Sequence, residues 1–157
     1  MRDLIEEELA HSRKLIAGGD EIVPRYRIAG EDGETVIFVQ LPGDLDERTR
    51  RMELVASYMA VKMARAFVMA TELQEPDASC AVGVERKKTG RKVVIAGLQM
   101  ITRNPISFSE TVWMGAEAVG DEIPSMLPDK IASVTPTQIM EVEELIRHND
   151  GMKLELG

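Results

Sequence analysis

The sequence predicts an α+β domain: a mainly antiparallel sheet of about five or six strands, one long central helix packed on it, and amphipathic helices at both termini. Three observations lead there. The first is a change of hydrophobic rhythm. Met52, Val55, Ala56, Met59 and Met63 recur at three- and four-residue steps, which puts them on one side of a helix running from Asp46 to about Ala66. Phe67, Met69, Thr71 and Leu73 then recur at every second position, the rhythm of a strand. The second is a pair of hairpin patterns, one on each side of that helix–strand unit. The third is a helix start near the C-terminus, Thr135-Pro136-Thr137-Gln138, with Thr as cap, Pro at the first helical position and Gln three residues after the cap.

Composition suits this class. The chain has 157 residues, 44% of them hydrophobic and 29% charged, enough for one domain spanning 1–157 that buries a core without disulfides or metal. Cys80 is the sole cysteine, which excludes an internal disulfide framework and a cysteine-rich zinc site and points to a reducing, cytoplasmic setting. The charged N-terminal stretch MRDLIEEELAHSRKLIAGG lacks the apolar run of a secretory signal, and no run of about 20 apolar residues reads as a membrane span.

The elements follow in order. Residues 1–19 read as an amphipathic helix, with Asp3 and Glu6 as a capping box, Leu4, Ile5, Leu9, Leu15 and Ile16 as its stripe, and Gly18-Gly19 as its stop. Ile22–Ile28 and Thr35–Leu41 flank Gly30-Glu31-Asp32-Gly33, a hairpin turn signal, and Pro24 suggests an edge strand. Pro42-Gly43-Asp44 ends that hairpin, and Asp44 or Asp46 caps the central helix. After the loop Gln74-Glu75-Pro76-Asp77 comes a second hairpin, ASCAVGVER and RKVVIAGLQMITR around KKTG. With KKTG as a four-residue loop, Arg86 faces Arg91, Glu85 faces Lys92 and Val84 faces Val93. Neither face of this hairpin is polar, so both are expected to be covered, by a helix or by another chain. ISFSETVWM, Ile106–Met114, reads as one further strand, Gly115–Val134 as a loop with at most a short helix, and Ile139, Val142, Leu145 and Ile146 as the stripe of the last helix. Residues 135–157, a helix and short tail, and the N-terminal helix are placed on the other face of the sheet, opposite the central helix, or in a dimer interface.

Sites for chemistry are sparse. Phosphate loops, dinucleotide fingerprints, nucleophile elbows, HExxH and EF-hand patterns are absent from the sequence, so neither a cofactor nor a metal is expected and no catalytic residue is assigned. His11 and His148 sit on the two terminal helices and would form a site only if the chain ends met. Cys80 points with Val82 and Val84 and reads as a buried thiol. Glu72, Glu85 and Glu110 lie within strands, and a cleft holding them is the basis of an alternative, a small carboxylate enzyme; ordinary cross-strand pairing or solvent exposure explains them more simply.

Charge is the sharper observation. The chain carries −8 overall, yet Glu85–Arg103 carries +5 and the remainder −13. Arg86, Lys87, Lys88, Arg91 and Lys92 gather at the tip of the second hairpin, where like charges are more natural with an anion beside them. An acidic protein surface or a phosphate is the expected partner; nucleic acid is less favoured, since no aromatic residue interleaves with the cations. The order hairpin, LPGD turn, long helix, strand ending MATEL, then a strand pair closing on ITRNP resembles small bacterial and phage-associated proteins of unassigned function over Ile22–Trp113. That resemblance implies an α+β fold and a mobile-element setting, and carries no functional residue. The expectation is therefore a non-enzymatic interaction module, self-associating, with a homodimer favoured, and with no membrane partner.

Overall fold

The computed structural model describes residues 1–156. Helix α1 (Arg2–Ala17) leads into strands β1 (Arg25–Gly30) and β2 (Gly33–Val39), then α2 (Leu45–Val61). Three long strands follow, β3 (Ala66–Gln74), β4 (Asp77–Arg86) and β5 (Lys92–Thr102), and after them the short β6 (Ser107–Phe108) and β7 (Val112–Met114). The chain closes with α3 (Ala116–Val119), a 3₁₀ turn at Pro124–Met126, α4 (Pro136–Arg147) and β8 (Met152–Leu156). All strands join one antiparallel sheet in the order β6-β5-β4-β3-β1-β2-β8, and β7 also pairs with β5. The α+β class is as the sequence predicts, with eight strands in place of five or six.

Two segments account for the difference. ISFSETVWM is two strands on the edge of β5, because the register slips by one residue between Ile101↔Phe108 and Leu98↔Val112. The slip occurs where the Ser109 hydroxyl accepts the Met100 N–H at 2.8 Å, taking a backbone acceptor's place in the ladder and bulging the strand. The tail Met152–Leu156, with its alternating Met-Lys-Leu-Glu-Leu, pairs with β2 and forms the opposite edge of the sheet. β1 is interior, between β2 and β3, where Pro24 had suggested an edge. Pro24 lies just before β1, so its missing N–H costs the ladder nothing, and its carbonyl accepts the Val39 N–H at 2.8 Å.

Helix α2 is capped by Asp44, whose carboxylate accepts the Asp46 N–H at 3.0 Å, and it buries Val55, Tyr58 and Met59 on the sheet. It ends at Val61, five residues before the expected Ala66. Met63 adopts φ +50, the Met63 N–H donates to the Ala60 carbonyl and the Ala64 N–H to the Met59 carbonyl, which together form a Schellman stop. The Lys62 carbonyl in turn accepts the Glu31 N–H from the β1–β2 turn. Gly30 permits that approach, since a Cβ there would stand 2.9 Å from the Lys62 carbonyl oxygen. Tertiary docking of the helix end onto the hairpin thus stops a helix that has neither Gly nor Pro at its terminus.

The sheet is a wall with a core on each side. On one side Tyr26, Ile28, Ile37, Val39, Phe67, Met69, Val82 and Val84 meet α2, α4 and the 3₁₀ turn. On the other, α1 lays Ile5 and Leu9 on Val68, Ala70 and Ala81. The second hairpin is covered on both faces, as its composition implied. Of the two terminal helices expected on the face opposite α2, only α1 lies there; α4 instead shares the face of α2 and packs against it, with Ile146 in the same core. The expected capping box of α1 does not form. The helix begins at Arg2 with Met1 as cap, and the Glu6 carboxylate instead accepts the Thr111 hydroxyl at 3.0 Å. The box on α4 forms in full between Thr135 and Gln138.

Candidate functional site

The basic hairpin tip is built on the two longest strands, β4 and β5, with β3 paired along the free edge of β4 and helices packed on the hairpin's body. The loop between them is longer by one residue than KKTG. Lys87 N–H donates to the Arg91 carbonyl at 2.8 Å, Gly90 N–H donates to the Lys87 carbonyl at 2.9 Å, and Gly90 takes φ +88. A turn followed by a left-handed glycine is the bulged form of hairpin, and the extra residue shifts every pair. Arg86 therefore faces Lys92, Glu85 faces Val93 and Val84 faces Val94, correcting the expected pairing of Arg86 with Arg91 and of Glu85 with Lys92.

The shift divides the five cations into two groups. Arg86 and Lys92 fall on the α2 face and hold the 120–130 loop. Arg86 donates to the Ala64 carbonyl at 2.8 Å and to the Pro128 carbonyl, and Lys92 donates to the Pro124 carbonyl at 3.1 Å and pairs with Asp129 at 2.8 Å. The Lys92 ammonium, with Arg86 further off, holds the Asp129 carboxyl below the usual carboxylate range. Lys87, Lys88 and Arg91 are exposed at the tip. Lys87 meets Glu85 at 3.3 Å, a solvent-exposed pair that contributes little.

The carboxylates singled out in the sequence are apart. Glu72, at the far end of β3, shares Arg103 with Asp77, at 3.4 and 2.9 Å. Glu85 is at the tip, and Glu110 is exposed in the bulge between β6 and β7. Cys80 is buried on the α2 face, and burial pushes its thiol pKa up. His11 and His148 are on opposite sides of the sheet, His11 on α1 and His148 at the end of α4, so the chain ends do not bring them together. Among the described residues no three His, Cys, Asp or Glu side chains stand close enough to hold a metal ion.

Sequence reasoning missed the polar seam under α1. Glu8 is 1% exposed, and its Oε1 accepts Arg25 Nη2 at 2.8 Å with Arg27 Nη1 at 3.7 Å. Gln99, also buried, accepts from Arg13 at 2.9 Å and donates to the Thr111 hydroxyl at 3.1 Å. The available signal was position: Glu8 lies beside Ile5 and Leu9 in the helical stripe, and Arg25 alternates with Tyr26 in β1. Trp113 sits against α1 with the Arg2 guanidinium 4.7 Å from its ring centre.

The half of the α1 face that α1 leaves uncovered carries a groove of about 380 Å³ lined by Val23, Phe38, Gln40, Gly151, Met152 and Lys153. A smaller hollow of about 120 Å³ beside it shares Val23 and Phe38 and reaches Ser12 and Arg25. None of Glu72, Glu85, Glu110 or Cys80 lines either. Compared with models of protein families, with curated proteins and with solved structures, the chain matches none of them. No helix among the described residues is long and apolar enough to cross a membrane.

Proposed function

We propose that the chain is a non-enzymatic interaction module that associates with a second copy of itself and docks an acidic protein surface at the β4–β5 tip. The observation that supports docking is the division among the cations. Arg86 and Lys92 are engaged by the protein's own backbone and Asp129, while Lys87, Lys88 and Arg91 are exposed at the turn with one weak carboxylate partner between them. In a chain of net charge −8, three cations on a protruding turn act through a local field reaching about 8–10 Å at physiological salt. That range favours close complementarity with a carboxylate cluster over attraction to a long polyanion, whose duplex form would meet the negative remainder of the surface. A catalytic reading has less support: Glu72 and Glu85 are in ion pairs, and Glu110 stands on an outer edge.

The test is fluorescence anisotropy with a labelled poly-glutamate peptide at about 50 and 200 mM salt. Wild-type protein is expected to bind saturably and more weakly at the higher salt, and a Lys87→Glu, Lys88→Glu variant to bind at least about tenfold more weakly. Equal binding by the variant, or none by the wild type, removes the docking reading. Tighter binding of a duplex DNA probe than of the peptide transfers the tip to the nucleic-acid reading.

A further inference from the structure

We propose that the outer edge of β8 is the self-association surface, and that two copies join β8 to β8 about a two-fold axis at Leu154, continuing one antiparallel sheet through both subunits. The proposal rests on the self-association put forward above and names its surface. β8 is the last strand of the sheet, and among the described residues no strand lies against its outer side.

Backbone alternation sets which groups that edge offers. The Gln40 N–H donates to the Gly151 carbonyl at 2.7 Å, so the 40–151 position is a hydrogen-bonded pair of the β2–β8 ladder. Continuing the register through Phe38↔Lys153 and Val36↔Glu155 turns the amides of Lys153 and Glu155 toward β2, and those of Leu154 outward. A two-fold axis at Leu154 lets each Leu154 N–H donate to the other's carbonyl. The Met152 carbonyl then accepts the Leu156 N–H of the second copy.

Side-chain charge selects the same register. Lys153 and Glu155 point to the face away from α2 and α4, 70% and 49% exposed, and meet each other at 3.0 Å. Charged residues on an edge strand normally discourage pairing. Here their order makes the strand complementary to itself: with the axis at Leu154, each Lys153 faces a Glu155 and each Glu155 a Lys153. Moving the axis by one residue sets Lys153 against Lys153 or Glu155 against Glu155, so the charges both permit one pairing and oppose its neighbours.

The other side of the sheet is consistent with this. α4 packs on β8 and on α2, with Glu143 and Arg147 on the flank near Tyr58. Helical spacing places Val142 and Leu145 on the opposite flank, and Leu145 is 60% exposed. Joining the edges of β8 brings that flank toward its symmetry copy.

Sedimentation velocity on four forms of the full chain tests the idea. Wild-type protein at about 100 µM is expected to be dimeric. Glu155→Lys and Lys153→Glu each place like charges opposite one another and should weaken dimerisation at least about tenfold. The double exchange Lys153→Glu, Glu155→Lys restores complementarity and should dimerise like wild type. An equimolar mixture of the two single variants should form a heterodimer. Both side chains are exposed, and far-ultraviolet circular dichroism checks that each variant is folded. Wild-type monomers at this concentration overturn the self-association reading itself. A wild-type dimer that the single reversals leave intact, or that the double exchange fails to restore, overturns the β8 edge and leaves self-association standing elsewhere on the surface.

Discussion

Gly97 and Gly83 are where α1 comes closest to the sheet, and they differ in what a methyl group would strike. A Cβ at Gly97 would stand 2.9 Å from Ile5 Cγ2 and 3.2 Å from Leu9 Cδ1, atoms buried between helix and sheet. At Gly83 the nearest atoms belong to the flexible end of Met1, Sδ at 2.6 Å, which can swing away. Gly97→Ala is therefore expected to cost about 1–3 kcal/mol in urea unfolding, and Gly83→Ala clearly less. Glu8 illustrates a second residue-scale rule, that a buried charge is tolerated through its partner. Arg25→Leu leaves Glu8 buried with only the more distant Arg27 and should cost about 3 kcal/mol, more than the Glu8→Leu, Arg25→Leu double change. At Met63 the backbone itself is the expense: φ +50 strains an L side chain, and Met63→Gly is expected to raise stability by about 0.5–1 kcal/mol in the same assay.

At the scale of elements, ion pairs staple loops and strand ends and bring a pH dependence with them. Arg103 donates to Asp77 through Nε at 2.9 Å and Nη2 at 3.0 Å, and this hydrogen-bonded pair holds the Asp77 carboxyl below its usual range. Lys92 does the same for Asp129. A depressed carboxylate contributes stability that is fully present above its unfolded pKa and is lost as pH falls through the folded value. The thermal midpoint should therefore drop below about pH 4, and Arg103→Gln should shrink that drop by removing the Asp77 share. The same scale explains what could be read beforehand. The helix–strand switch at Phe67, the two hairpins and the Thr135 cap were legible because periodicity and turn residues are local properties. The register of β4 and β5 was not, since whether Gly90 closes the loop or bulges it changes the pairing by one and turns Arg86 and Lys92 from a tip into a clamp. The end of α2 at Val61 was hidden for a related reason: the Glu31 N–H that ties down Lys62 arrives from a hairpin distant in the chain. β8 was read only as a short tail, since its partner β2 lies more than a hundred residues earlier.

At the scale of the molecule, a single sheet serves two unequal cores, and this decides how the domain comes apart. Val68, Ala70 and Ala81 support α1 from the same strands whose neighbouring residues Phe67, Met69 and Val82 support α2, so neither layer can lose the sheet without the other. Two native probes watch the two sides. Trp113 reports the α1 face through the α1 packing and the Arg2 guanidinium above its ring, and Cys80, buried on the α2 face, reacts with thiol reagents only when that side opens. If the sheet couples the layers, the denaturant midpoint of Trp113 emission and that of Cys80 labelling in a short pulse coincide, as two-state unfolding of a small domain requires. The smaller core under α1 is the place where coupling would fail first, because its floor is largely Gly and Ala and offers little apolar area per residue. A Trp113 transition at lower denaturant than the Cys80 transition would mean that α1 leaves as a separate unit. Gly97→Ala, which pushes α1 off the floor without touching the α2 side, should then widen that gap, whereas in a coupled domain it lowers both midpoints together.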